Sequence, residues 1–229
     1  MIVPAVQVCS LGLVPYAEAL ALQQRLVERR RRGGIPDQLL LLQHPPVITT
    51  GVRAADARAH IVAGEAQLKA RGVEVHEAGR GGDVTFHGPG QLVGYPILEL
   101  PEPRRDLHRY VRDLEEAIIL TIRRWGIEGG RIRGLTGVWV GDEKVAAIGV
   151  RVSRWITSHG FALNVGTDLS LFDLIVPCGI GDKGVTSMER LLRRPVPIGE
   201  VETAFVDAFA TVFGLQPEPC DAATLRVTP

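Results

Sequence analysis

Apolar positions recur along this chain with two periods, near 3.6 and near 2, and their alternation predicts a mixture of helices and strands. Residues 15–32 place Ala17, Leu20, Leu22, Leu26 and Val27 among Gln, Glu and Arg, a helical stripe that Gly33-Gly34 ends. The basic tail Arg29, Arg30, Arg31 and Arg32 suits a helix C-terminus, where aligned peptide dipoles leave partial negative charge. The stretch before it reads as a first strand and a turn; it has no basic region ahead of its apolar residues, unlike a signal peptide. Residues 39–42 are a short apolar run suited to a buried strand. Gln43-His44-Pro45-Pro46 interrupts it, and extended structure resumes over Val47–Thr50. A short helix over 63–71, closed by Gly72, precedes a strand at 73–76.

Further along, 92–98 reads as a strand despite Gly94 and Pro96. The longest helix spans 107–125, with Leu114, Ile118, Leu120, Ile122 and Trp125 as apolar positions and Gly126 as its stop. Residues 138–140 and 144–152 flank Gly141-Asp142-Glu143, a hairpin signal. Another strand falls at 161–165. Ile198–Phe213 forms the last helix, with Val201, Phe205, Ala208, Phe209 and Val212 at helical spacing. This order lacks a strict βαβ rhythm, so it favours a mixed-sheet α/β (α+β) single domain over a doubly wound sheet. No shift of composition marks a boundary, and 101–105 reads more simply as a loop than as a linker. The expectation is one domain over residues 1–229.

Composition narrows the function classes. The 229 residues are 45% apolar and 23% charged, which suits a folded globular chain. Lys+Arg and Asp+Glu both number 26, so no overall basic field exists for gripping nucleic acid. No apolar run approaches the roughly 20 residues that cross a bilayer. Three cysteines, Cys9, Cys178 and Cys220, are an odd and widely spaced set, a poor disulfide framework that suggests a reducing compartment. A cytoplasmic protein is the expectation. Only Lys69, Lys144 and Lys183 are lysines; the other basic residues are arginines.

The densest chemical signal is Gly79-Arg80-Gly81-Gly82-Asp83-Val84-Thr85-Phe86-His87-Gly88-Pro89-Gly90-Gln91. Glycines let backbone amides approach a ligand, and Arg80 and His87 add polar heads. A plain surface turn would have the same composition. The spacing is neither that of a phosphate-binding P-loop nor that of a dinucleotide fingerprint. Two further segments stand out. Lys144 enters an apolar strand in Gly141-Asp142-Glu143-Lys144-Val145-Ala146-Ala147-Ile148-Gly149, a position more often held by a solvated edge residue. Cys178 sits between Pro177 and Gly179 in a loop-like setting. A cysteine in apolar sequence is more often a small buried hydrophobe, and a nucleophilic one needs access and a nearby cation.

The run Arg80-Gly81-Gly82, Thr85-Phe86-His87, Gly90-Gln91 and Tyr95 resembles the signature of the lipoyl(octanoyl) transferases, the octanoyl-[acyl-carrier-protein]:protein N-octanoyltransferases of lipoate biosynthesis. The lysine segment, Pro177-Cys178-Gly179-Ile180, Gly160-Phe161-Ala162-Leu163-Asn164-Val165 and Thr186-Ser187-Met188 extend the resemblance over residues 39–188. It implies the biotin/lipoate protein ligase-like fold, a mixed-sheet α/β domain. It implies Cys178 as a nucleophile that takes octanoyl from octanoyl-acyl carrier protein, and Lys144 as its partner. As ammonium, Lys144 would stabilise the thiolate; as a neutral amine it would accept a proton from the incoming lysine, which requires a depressed pKa. It places substrate on Arg80, Gly81, Gly82, Asp83, Val84, Thr85, Phe86 and His87, on Ala147, Ile148 and Gly149, and on Gly160, Phe161 and Ala162. His159 is an auxiliary candidate, and both it and His87 could equally be structural.

The implied acceptors are lipoyl domains of 2-oxoacid dehydrogenase complexes and the glycine cleavage H protein. The implied reaction needs no cofactor and no metal, and neither nucleic acid nor membrane is a partner. Three alternatives stay open: an ATP-dependent lipoate or biotin ligase of the same fold, a thioesterase pairing Cys178 with His87 or His159, and a non-catalytic acyl-binding module. The clusters Arg29-Arg30-Arg31-Arg32, Arg104-Arg105-Arg109-Arg112 and Arg131-Arg133 are candidate docking surfaces for an acidic carrier.

Overall fold

Strand alternation builds the centre of the molecule. In the computed structural model, which describes residues 3–52, 57–176, 183–221 and 225, β2 (Asp37–Gln43) is buried along nearly its whole length. Its Leu39 and Leu41 enter one apolar core and its Leu40 and Leu42 the other. A period of 2 sends successive side chains to opposite faces, so a continuous leucine run demands cover on both sides.

The cover comes from three helices. On one face lie α3 (Leu107–Arg123) and α5 (Ile198–Phe213), which bring Leu114, Ile118, Ile122, Val201, Phe205 and Phe209 against Leu39, Leu41, Phe161 and Leu163. On the other lies α1 (Tyr16–Arg31), whose Ala19, Leu22 and Leu26 meet Leu40, Leu42, Val93 and Ala162. Asp106 caps α3 by accepting from the His108 and Arg109 amides at 2.8 and 3.1 Å. Gly214 closes α5 in the left-handed conformation.

The main sheet is mixed. Its order runs β12 (Gln216–Pro219), β1 (Ala5–Leu13), β2, β6 (Gln91–Ile97), β10 (Ile156–Asn164), β9 (Glu143–Ser153), β8 (Leu135–Val140) and β7 (Gly130–Ile132), and β11 (Gly184–Val185) adds to β9. β1 pairs in parallel with both β12 and β2, and the pairs from β2 onward to β7 are antiparallel. A second sheet holds β3 (Val47–Thr50) between β4 (Glu74–Glu77) and β5 (Val84–His87). Its apolar face packs Ile48, Val84 and Phe86 on Leu171, Phe172 and Leu174, with Leu68 of α2 (Glu65–Ala70) beneath. Among the described residues, no helix is long and apolar enough to cross a membrane.

The cysteine expectation is corrected here. Cys9 on β1 and Cys220 just beyond β12 form a disulfide, with Cα atoms 4.9 Å apart. The Cys220 amide also donates to the Val8 carbonyl at 2.9 Å. Parallel pairing of the first and last strands brings together two residues 211 positions apart, which spacing along the sequence cannot reveal. The reducing compartment therefore no longer follows from the cysteine count.

Strands β6 and β10 approach closely through glycine. A Cβ on Gly94 would stand 2.0 Å from Cε1 of Phe161, and one on Gly160 would stand 2.1 Å from the Gly94 carbonyl oxygen. Phe161 in turn lies 4.3 Å, centroid to centroid, from Phe205 of α5, so its ring has little room to retreat. Gly94→Ala should therefore cost about 1–3 kcal/mol, the usual range for overpacking a filled core. Urea unfolding checks this, and a midpoint equal to wild type would contradict the packing account.

Candidate active site

A cavity of about 860 Å³ opens between the two sheets. One wall is the β9–β10 hairpin. Its register pairs Gly149 with Gly160, Ile148 with Phe161, and Ala147 with Ala162, so two segments distant in sequence become one strip. The facing wall is the glycine-rich loop: Arg80, Gly81, Gly82, Asp83, Val84, Thr85 and His87 all line the cavity. Phe86 alternates away from it and packs edge-on against Phe172, 5.4 Å between centroids, inside the small sheet's core. Arg80 is buried and pins the loop to β3, donating through Nη2 to the Thr49 carbonyl at 2.8 Å and the Thr49 hydroxyl at 2.9 Å. The Gly81 amide ties the loop to β9 through the Val150 carbonyl at 2.9 Å.

Lys144 lines the same cavity from the start of β9. Its Nζ lies 4.8 Å from the centroid of Trp139, a cation–π contact. Gly137 makes room for the lysine stem. It sits at φ +122°, and a Cβ there would be 2.6 Å from the Ala146 carbonyl and 3.5 Å from Lys144 Cδ and Cε. The Gly137 amide donates to the fully buried Glu115 of α3 at 3.1 Å, and Arg112 and Arg131 hold the same carboxylate at 2.6 and 2.9 Å. Glu115 thereby fixes the helix to the strand beside the lysine. Two of the arginine clusters named from sequence meet at this point, through Arg112 and Arg131.

Cys178 lies outside the described residues. The chain on either side of 177–182 is described, and both flanks are bonded to cavity walls. Before the segment, the Val176 amide donates to the His60 carbonyl at 2.8 Å, Ile175 bridges Ile61, and the Val62 amide donates to the Leu174 carbonyl at 3.0 Å. After it, Val185 pairs with Lys144 itself, and the Thr186 amide donates to the Lys144 carbonyl at 3.0 Å. His60, like Lys144, lines the cavity.

Tyr16, His87, Tyr95 and His159 line the cavity, and His44 packs behind them. His44 donates through Nδ1 to the Val14 carbonyl at 2.7 Å and accepts at Nε2 from the Tyr95 hydroxyl at 2.7 Å. Burial pulls its pKa down to about 4, against the opposing pull of the Val14 bond. His87 donates through Nδ1 to Gln91 Oε1 at 2.8 Å; burial, with His44 and Arg80 nearby, pulls it down to about 3. His159, with φ +55° in mid-strand, is pulled down to about 4 by burial and then by Arg80 and Arg151. Tyr16 packs against His44, with ring centroids 5.3 Å apart, and its buried hydroxyl has no hydrogen-bond partner among the described residues. Burial raises its pKa to about 12. Burial thus disfavours the protonated form of all three imidazoles. Among the described residues, no three His, Cys, Asp or Glu side chains are grouped to hold a metal ion.

Sequence reasoning did not assign Tyr16, His44 or His60 to the site. Each comes from an element whose sequence signal concerns structure: a helix start, a proline-interrupted strand and a single turn. No spacing links them to the glycine-rich run.

Comparison with known proteins fits this geometry. Residues 15–210 match the family described as the lipoyl protein ligase A/B catalytic domain. The chain is 56% identical over 214 residues to an octanoyltransferase of Myxococcus xanthus, covering 91% of this chain and 59% of that protein. It is 57% identical over 204 residues to an octanoyltransferase of Rubrobacter xylanophilus, covering 89% and 91%. A crystal structure of lipoate-protein ligase A bound with ATP superposes with a TM-score of 0.76 at 17% identity, covering 96% of this chain and 92% of that one. A biotin protein ligase from Aquifex aeolicus gives 0.51 at 12% identity, covering 90% and 68%. The fold is thus that of the biotin and lipoate protein ligases. The chain belongs to the lipoyl protein ligase A/B catalytic-domain family, and within it to the octanoyltransferases.

The buried histidines make stability depend on pH. Unfolded, they bind protons near pH 6.5; folded, they bind them only near 3 to 4. Between those limits the unfolded chain holds more protons, so stability rises as pH climbs from about 4 to about 6.5 and then levels off. Each histidine contributes a slope of up to about 1.4 kcal/mol per pH unit. Urea midpoints at pH 5.0 and 7.5 should differ strongly, and less so in His159→Gln. Equal midpoints would show that the histidines titrate normally.

Proposed function

We propose that residues 1–229 act as one catalytic domain that moves octanoyl from acyl carrier protein to a lipoyl-domain lysine through a thioester on Cys178. The Cys178 sulfur attacks the carrier's thioester carbonyl; the C–S bond to phosphopantetheine breaks and its thiol departs with a proton from Lys144. The lysine ε-amine of the acceptor then attacks the acyl-cysteine, the C–N bond forms, and the Cys178 thiolate leaves. Lys144 first pairs with the thiolate as ammonium and later receives a proton from the amine. The observation that carries this reading is the anchoring of both flanks of 177–182, at His60 on one side and in register with Lys144 on the other.

The acyl chain lies along the cavity wall that Ala147, Gly149, Gly160 and Ala162 help to line. Each buried methylene contributes about 0.8 kcal/mol, so cavity depth sets chain length. Thioester exchange is nearly isoenergetic and amide formation is downhill, so the reaction needs no nucleotide, cofactor or metal. Acceptors are lipoyl domains of 2-oxoacid dehydrogenase complexes and the glycine cleavage H protein, and the reaction belongs in the cytoplasm with its carrier.

Octanoyl-carrier protein and a lipoyl domain should yield octanoyl-lysine without ATP, and a strict need for ATP would replace this reading with a ligase. Lys144→Arg should lower the transfer rate at least about 100-fold with little change in melting temperature, because arginine keeps the charge but cannot release a proton. Parallel losses of rate and stability would leave Lys144 a structural role.

A further inference from the structure

The proton inventory of the second half-reaction leaves one proton without a destination. The incoming lysine is an ammonium in water and carries three protons on nitrogen. The amide product keeps one. Lys144 accepts a second as it returns to ammonium opposite the Cys178 thiolate. The third is lost either to water before the amine binds or to a second base at the site.

Burial disfavours the protonated form of His44, His87 and His159. One histidine of the cavity is more exposed. His60, on the single turn Ala57–His60, lines the cavity with its side chain 35% exposed, and its Nδ1 lies 2.6 Å from Asp83 Oδ2. No hydrogen bond forms at this contact, and His60 Nδ1 is buried without a hydrogen-bond partner among the described residues. The other carboxylate oxygen of Asp83 is buried and has no hydrogen-bond partner among the described residues. Asp83 belongs to the loop that walls the cavity, and its carbonyl accepts from the Gly51 amide at 3.0 Å, which fixes the backbone behind the carboxylate. His60 is itself held by the Val176 bond.

We propose that the His60–Asp83 pair is the second proton acceptor of the transfer half-reaction, taking a proton from the substrate ammonium before attack and releasing it to solvent. Asp83 lies against Nδ1 and leaves Nε2 to receive the proton, an arrangement suited to a histidine base. The step balances: the ammonium and neutral His60 become a free amine and a protonated His60, which then loses its proton to water. Around the pair, β5 contributes His87, kept neutral by burial, and residues 174–176 carry no titratable side chain. Arg80 and Lys144 are cations of the shared cavity.

This inference rests on the thioester reading, and the two half-reactions separate them. His60→Gln should form the octanoyl-enzyme from octanoyl-carrier protein at the wild-type rate, yet pass the acyl group to a lipoyl domain at least about 10-fold more slowly at pH 7. Raising the pH toward 9, where more acceptor amine is free, should recover most of the loss. Hydroxylamine, already unprotonated at pH 7, should be acylated equally by both enzymes. Asp83→Asn should fall between them. A wild-type pH–rate profile in His60→Gln, a loss that alkali does not recover, or an equal loss in acylation would overturn the assignment. An enzyme that forms no acyl adduct would overturn the thioester reading and this inference with it.

Discussion

The pairing of β9 with β10 is the constraint on which the site depends. Its register sets Ala147, Ile148 and Gly149 opposite Ala162, Phe161 and Gly160. The same residues serve two masters. Phe161 and Leu163 pack in the core beneath α3 and α5, and Phe161 also lines the cavity beside Gly160 and Ala162. A one-residue slip would turn the core set to the opposite face of the sheet. The apolar cover on both faces of the sheet therefore fixes the register, and the register fixes the cavity wall.

Electrostatic environment divides the titratable groups into two populations. Burial penalises the charged ring of His44, His87 and His159. Hydrogen bonds of His44 with Val14 and Tyr95, and of His87 with Gln91, hold those two rings in place. Lys144 lies on a Trp139 face and His60 stands beside a carboxylate, both next to the flanks of 177–182.

Much of the fold was legible because the central strands are buried on both faces. The unbroken leucine run of β2 and the helical stripes of α1, α3 and α5 leave few alternatives, and the helix at Ile198–Phe213 falls where its periodicity puts it. What was hidden lacked a local signature. β12 reads Gln-Pro-Glu-Pro, with no apolar alternation, and forms because β1 offers a parallel edge. β5 is a strand within a glycine-rich run that reads as loop. β10 begins at Ile156, earlier than expected, because Arg154 and Trp155 make the tight turn with φ of 51° and 63° and without the usual Asn or Gly. In the site, the glycine-rich loop and the Lys144 strand were visible as dense motifs. His60 was not, since nothing in the sequence joins a lone histidine to Asp83 across 23 positions of chain.

The account stands on one covalent event, the passage of the acyl group through Cys178. Enzyme mixed with octanoyl-carrier protein and no acceptor should gain the mass of one octanoyl group. Peptide mapping should place it on Cys178, not on Cys9 or Cys220, and adding a lipoyl domain should remove it as octanoyl-lysine appears. Transfer to the lipoyl domain without any adduct on Cys178, or an adduct located elsewhere, would contradict the account.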